Sequence, residues 1–228
     1  MPILLAERLI ELEHIDLANR RVRVPADLSP RSPGLHQSGI LHAIAHNVGW
    51  LKPGEWDDTD KGIGGRRRYP NRWLIGVMFE EMWFSLNPVV VWQPGGREKD
   101  GIWVTCDGID TTGTDPACPG ETVIDETKAT EKKVRTGAEM LQENLYMHQG
   151  RGYAHVYPLC RLQWDGVLYY PKWAEDGSRV ARWTVLFLRG DYKGSGPVIM
   201  QYVVRFSARE IAQTWEMLVM SKGMAEEE

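Results

Sequence analysis

Glu126 and Lys128, in the stretch "VIDETKAT" (123–130), place an acid and an ammonium at the end of an apolar run. On a β-strand alternate side chains share a face, so these two point the same way while Thr127 points oppositely into packing. A carboxylate beside an ammonium can bind a hard cation and orient or deprotonate a water next to it. Holding such a cation takes a second acid. Asp107 supplies one at the end of the preceding strand candidate, followed by Gly108, which permits a turn or a close approach. If the two strands pair, Asp107 and Glu126 converge at one sheet edge. Each piece alone has a plainer reading, because Asp-Gly is a turn signal and Glu-x-Lys is frequent by chance. A third acid, Glu80, lies with Glu81 in "NRWLIGVMFEEMWFSL", a segment that reads as a helix apolar nearly all round and therefore buried. A carboxylate buried there requires a partner, since leaving it unpaired costs roughly several kcal/mol.

The elements that must position these residues follow from periodicity and turn formers. Residues 3–19 read as an amphipathic helix, with Leu5, Leu9 and Leu12 recurring at helical spacing. After the proline-rich "VPADLSPRSPG", helix resumes near "SGILHAIAHNVGWL", where Ser38 is a candidate cap. Residues 51–71 read as a loop. Strand candidates at 88–93, 101–109 and 121–129, separated by turn formers, read as a β-meander. "TEKKVRTGAEMLQENLYMHQG" reads as a helix stopped by Gly150, and "YAHVYPL" as a strand after it. Further on, "GVLYYPKW" and "RVARWTVLFL" flank "AEDGS" as a hairpin, and "GPVIMQYVVRF" is another strand. A final helix begins at a Ser207/Glu210 capping box and buries Ile211, Trp215 and Leu218.

On these residues the chain resembles the PD-(D/E)XK nuclease superfamily, and within it the RecB-like and phage exonuclease branch. The match rests on "DG" at Asp107-Gly108, "ETK" at Glu126-Thr127-Lys128, "QENLY" from Gln142 to Tyr146 as that branch's QxxxY signature, and "GVMFE" ending at Glu80, over residues 72–157 or so. Cys106 stands where the family usually has proline. A long loop holding Asp110 and Asp115 separates Asp107 from Glu126, and Asp110 takes the place of Asp107 if the register slips. The resemblance implies an α/β, restriction-endonuclease-like αβββαβ core with a mixed central sheet. N-terminal helices would precede it, and a C-terminal antiparallel β extension ending in a helix would follow. One domain would span 1–228: an N-terminal helical and basic region (1–71), a catalytic core (72–160) and a β-rich extension with the terminal helix (161–228).

It also implies roles. Asp107, Glu126 and the Thr127 carbonyl would hold one or two Mg²⁺ ions, with Mn²⁺ as a substitute and Glu80 as a further ligand. Two ions about 4 Å apart would stabilise the attacking and leaving oxygens of phosphodiester hydrolysis. Lys128 would orient the attacking water and offset developing negative charge. Gln142 and Tyr146 would share a helix face with Arg135 and Glu139, Gln142 touching phosphate or the lysine and Tyr146 stacking near a base or sugar. Arg66, Arg67, Arg68 and Arg72 would line the entry of a DNA channel, and His36 and Ser38 would contact phosphate. His42 and His46 have zinc-binding spacing, but Ala43 stands where a metalloprotease glutamate would be.

Composition bounds this reading. The longest apolar runs fall short of the ~20 residues that a bilayer span requires, so no membrane partner and a cytoplasmic location, a host's if viral, are the expectation. Three widely spaced cysteines form neither a disulfide framework nor a four-cysteine metal site. The formal net charge of -4 gives no global attraction to nucleic acid, so DNA binding would fall to local arginine patches. A homo-oligomer and a recombination or single-strand-binding partner are compatible with the resemblance. The expected activity is that of a metal-dependent deoxyribonuclease, an exonuclease first, with a structure-specific endonuclease or nickase and a non-catalytic binding module as alternatives.

Overall fold

The computed structural model describes residues 1–10, 35–50, 61–62, 66–67, 70–87, 90–164, 166–188 and 197–226. The second part (11–19) of the expected helix over 3–19, the proline-rich stretch 24–34, most of the expected loop 51–71, and Arg68 lie outside them. The chain begins with β1 (Ile3–Ile10), β2 (Leu35–His36), α1 (Gln37–Asn47), β3 (Lys61–Gly62), β4 (Arg66–Arg67) and α2 (Pro70–Leu86). It continues with β5 (Val90–Trp92), β6 (Arg97–Lys99), β7 (Ile102–Val104), β8 (Gly108–Asp110) and β9 (Val123–Thr130). After α3 (Gly137–Met140) and α4 (Asn144–Val156) come β10 (Leu162–Trp164), β11 (Val167–Tyr169), β12 (Arg179–Phe187), β13 (Val198–Phe206), α5 (Ala208–Met220) and α6 (Lys222–Glu226).

The central sheet is mixed, in the order β1-β13-β12-β9-β8-β5. Only β9 and β12 run parallel; every other neighbouring pair in it is antiparallel. The connection between the parallel pair passes through α4, which packs on both strands. β12 and β13 are buried over nearly their whole length, and their runs of Val, Ile, Trp, Tyr and Phe suit strands covered on both faces. The main core joins α1, α4 and α5 to this sheet through Ile40, Met147, Trp183, Tyr202, Phe206 and Trp215 among others.

Glycine sets the distance of α4 from the sheet. A Cβ on Gly150 would lie 2.6 Å from Trp183, so only glycine lets the helix settle there. Gly150 is therefore internal to α4 and does not stop a helix, and "YAHVYPL" continues α4 into a short 3-10 turn at Tyr157–Leu159 instead of forming a strand. The expected helix over 130–150 is in fact two. A capping box between Thr136 and Glu139 starts α3, and α4 begins afresh at Asn144.

Other expectations are corrected too. Residues 3–10 form the edge strand β1, because Glu7 accepts from the Gly137 N–H and Arg8 binds Asp115 and Gln201, contacts that override helical periodicity. The N-terminal region is thus not simply helical, since β1 joins the central sheet. Ser38 does not cap α1, whose N-cap is His36. The candidate strand 101–109 breaks at 105–107 and serves two sheets, β7 pairing with β6 and β2, β8 with β5 and β9. "AEDGS" does not join a hairpin, because β11 pairs back with β10 while β12 pairs with β13. α2 is only partly buried, with Ile75 and Met78 exposed and Phe79, Trp83 and Phe84 inside. The capping box at Ser207/Glu210 and the buried stripe of α5 are as expected. No helix among the described residues is long and apolar enough to cross a membrane.

Under the sheet lies a network on Arg182 of β12. Its guanidinium donates to Asp125 at 2.6 and 2.7 Å, to Asp115 at 3.0 Å and to Asp110 at 3.1 Å, and Arg8 adds a second cation on Asp115. This ties β8, β9, β12, β1 and the 111–122 loop together. Replacing Arg182 by Met leaves Asp125 and Asp110 buried without their cation, with only Arg8 still on Asp115, and a loss of about 3–5 kcal/mol is expected in urea unfolding. In the same assay Gly150→Ala costs about 1–3 kcal/mol through overpacking against Trp183. Gly39→Ala in α1, where a Cβ meets nothing within 4 Å, gains up to about 1 kcal/mol.

Candidate active site

The register of β8 and β9 decides which acids meet. Gly108 pairs with Asp125 and Ile109 with Ile124, so Asp107, one residue before β8, falls beside Glu126. Asp107 Oδ2 accepts from the Thr127 N–H at 2.8 Å and from its hydroxyl at 2.9 Å. Asp110 belongs to the Arg182 network and also accepts from Thr112, so it does not replace Asp107.

Gly108 brings in the third acid. A Cβ there would lie 2.5 Å from Phe84 and 2.9 Å from Val90, so α2 rests directly on this backbone. Glu80, one helical turn before Phe84, is thereby carried over Asp107. Its Oε1 accepts from Trp92 Nε1 and Gln93 Nε2, both at 3.0 Å, and these are the partners that its burial demands. Burial and the neighbouring Asp107 both raise the Glu80 carboxyl above its ordinary value.

Glu126 is buried, and its Oε1 receives the Lys128 ammonium and, at 3.0 Å, the Gln149 amide. Its Oε2 is buried with no protein partner. Burial first, and Asp107 second, push the Glu126 carboxyl up to about 8. Lys128 keeps its proton above the usual lysine range: burial works against the ammonium, but Glu126 and Asp107 outweigh it. The Tyr146 ring lies 6.0 Å from the Lys128 Nζ.

Among the described residues no three His, Cys, Asp or Glu side chains are already gathered around one point as a metal site. The donor set nevertheless suits a hard divalent ion, being three oxygen acids that repel one another across a small space. The orphaned Glu126 Oε2 is an oxygen with no other use. Asp107, Glu126 and Glu80 are the residues that would hold such an ion.

The structure separates the residues expected on one helix face and leaves only Tyr146 of them near Lys128. Gln142 is exposed in the turn between α3 and α4, and Arg135, which precedes α3, pairs with Glu143. These two therefore do not share one helix face with Tyr146. Gln149 and Tyr153 have the same four-residue spacing seven positions on; the Gln149 amide donates to Glu126 and to the Tyr153 hydroxyl. Gln149 and Tyr153 stand in "QGRGY", where Gly150 reads in the sequence as a helix stop. Gln93 was also missed.

Of the basic and polar candidates, Arg66 and Arg67 form β4, and Arg72 lies in the first turn of α2. His36 and Ser38 flank Gln37, whose amide donates to the carbonyls of His148 and Gln149, so the start of α1 abuts α4 beside the site. Neither a scan against protein-family models nor a search of curated proteins returned a match to this chain.

The raised Glu126 value has a signed consequence. An acid that binds its proton more tightly folded than unfolded contributes stability that is full below the unfolded value of 4.5 and lost as pH rises toward about 8. Lys128 adds no slope there, because it stays protonated in both states. In chelator the unfolding free energy is expected to fall from pH 5 to pH 8, by at most about 1.4 kcal/mol per pH unit per proton, and the melting temperature with it. Glu126→Gln should flatten the profile, and saturating Mn²⁺ should oppose the decline, because the ion competes for the carboxylate against the proton.

Proposed function

We propose that this chain is a metal-dependent DNA nuclease that hydrolyses phosphodiester bonds, with an exonuclease of phage recombination type as the first reading. The observation that carries it is the placement of Asp107, Glu126 and Glu80 on one side of β8, β9 and α2 with Lys128 among them. The element order α2-β5-β8-β9-α4-β12, with β12 parallel to β9, supports a restriction-endonuclease-like core for this reading. Its last core strand is then β12, not the 153–159 segment.

A bound Mg²⁺, or Mn²⁺ in its place, supplies the Lewis acid that neutralises phosphate charge and lowers the pKa of a bound water. The chain's own residues do the rest. Asp107 is steadied by Thr127, Glu80 by Trp92 and Gln93, and Glu126 by Gln149, so the three carboxylates present oxygens in fixed directions. Lys128, held beside Glu126, would offset the negative charge that develops on the phosphoryl oxygens. Arg66, Arg67 and Arg72, at the entry to α2, are the residues on this reading that contact backbone phosphates.

Linear, nicked and covalently closed DNA incubated with Mg²⁺ separate the readings. The first reading expects degradation of linear DNA and none of closed circles, with chelator abolishing it. Cleavage of closed circles makes the protein an endonuclease, and absence of cleavage of any form makes it a binding module. Lys128→Ala should lower the rate on the order of 10²–10³-fold with DNA affinity changed far less, as expected of a group acting on transition-state charge.

A further inference from the structure

Gln93 has a backbone conformation that its type rarely adopts. Its φ is +46°, in the left-handed region, and it is not glycine. It precedes Pro94, and the turn "QPGG" then leads to β6. Nothing about β5 ending at Trp92 requires glutamine in a left-handed position, where asparagine or glycine would be less strained. Strain of this kind persists where surrounding structure holds it, and such positions cluster at functional sites.

What holds it here is a pair of hydrogen bonds to two residues of the site, one to the main chain of Asp107 and one to the Glu80 carboxylate. The Gln93 N–H donates to the Asp107 carbonyl at 2.8 Å, and the side-chain amide donates to Glu80 Oε1 at 3.0 Å. The neighbouring Trp92 indole donates to the same Oε1 at 3.0 Å. Both donors thus converge on a single carboxylate oxygen and set the rotation of the carboxyl group, which fixes where Oε2 is aimed. Asp107 comes from the loop before β8 and Glu80 from α2, two elements that touch otherwise through Phe84 on Gly108. Gln93 links them through polar bonds at the site itself, and its side chain lies at the surface rather than in the core.

We infer that Gln93 is a positioning residue that couples the Asp107 loop to Glu80 and orients the Glu80 carboxylate for a divalent cation. The inference rests on the metal-dependent reading above and adds to it a residue outside the acid, acid, lysine set. Its left-handed backbone accompanies the simultaneous bonds to the Asp107 main chain and the Glu80 carboxylate.

Gln93→Gly is the informative variant. Glycine keeps the backbone N–H to Asp107 and removes the strain, while deleting only the amide that steers Glu80. Gln93→Glu is nearly isosteric and sets a carboxylate against Glu80. Mn²⁺ binding followed by electron paramagnetic resonance, without DNA, and the melting temperature in chelator are measured for wild type and both variants. Gln93→Gly is expected to weaken Mn²⁺ binding roughly tenfold, the usual scale for losing an outer partner of a metal ligand, while its chelator melting temperature stays level or rises. Gln93→Glu is expected to lower the chelator melting temperature through repulsion with Glu80. Mn²⁺ affinity unchanged in Gln93→Gly, with wild-type binding intact, overturns the role of Gln93 alone. A weakened Mn²⁺ affinity that only tracks a fall in melting temperature assigns Gln93 to fold stability and also overturns it. No Mn²⁺ binding by the wild type overturns this inference and the metal-dependent reading together.

Discussion

Three carboxylates close together, two of them largely withdrawn from water, repel one another, and the architecture around β8 and β9 is arranged to hold them in spite of that. Glu126 shows the strain most directly: burial and Asp107 lift its carboxyl to about 8 even with an ammonium in contact. Each acid is held by donors from a different element. Thr127 of β9 holds Asp107, Trp92 and Gln93 at the end of β5 hold Glu80, and Gln149 of α4 holds Glu126. The approach of α2 depends on Gly108 having no side chain, and the approach of α4 on Gly150 having none. A group of like charges kept together by so many separate supports makes physical sense if a cation completes it.

β9 carries acids on both faces, and the contrast between the faces separates structure from chemistry. Asp125 is as deeply buried as Glu126, yet Arg182 meets both its oxygens, and Asp110 and Asp115 complete a closed set of partners with Arg8. That network is fully partnered and has a sufficient explanation in fixing the register of β8, β9 and β12. On the other face Glu126 Oε2 has no protein partner. A buried carboxyl oxygen left without a bond is costly, and on the proposed reading the cation is its partner.

The parts of the site legible in sequence were those set by period two and by local chemistry. Glu126 and Lys128 share a face because β9 is a regular strand, and Ser207 with Glu210 caps α5 because a capping box is local. What escaped was decided by distant contacts. Residues 3–10 have helical spacing but become an edge strand through Arg8, Asp115 and the ladder to β13. Gly150 looks like a helix terminator, but it and Gly152 make room for Trp183 and for the Gln37 side chain, so α4 runs on and carries Gln149 to Glu126 and Tyr153. Thr136 and Glu139 form a local capping box that would have split the long helix correctly, and the sustained helical period across it concealed the break. Gln93 had no sequence signal, since nothing in "WQPGG" says that glutamine will take a left-handed conformation to reach two acids.

The central claim is that these acids form one cation site. Crystals grown with Mn²⁺ and measured for anomalous scattering test it most directly. The account expects a peak bounded by Asp107 and Glu126 at a little over 2 Å, with Glu80 in the first or second coordination layer and the Lys128 ammonium moved off Glu126. Crystals grown in saturating Mn²⁺ in which Glu126 still grips Lys128 and no ion lies between the acids would contradict it.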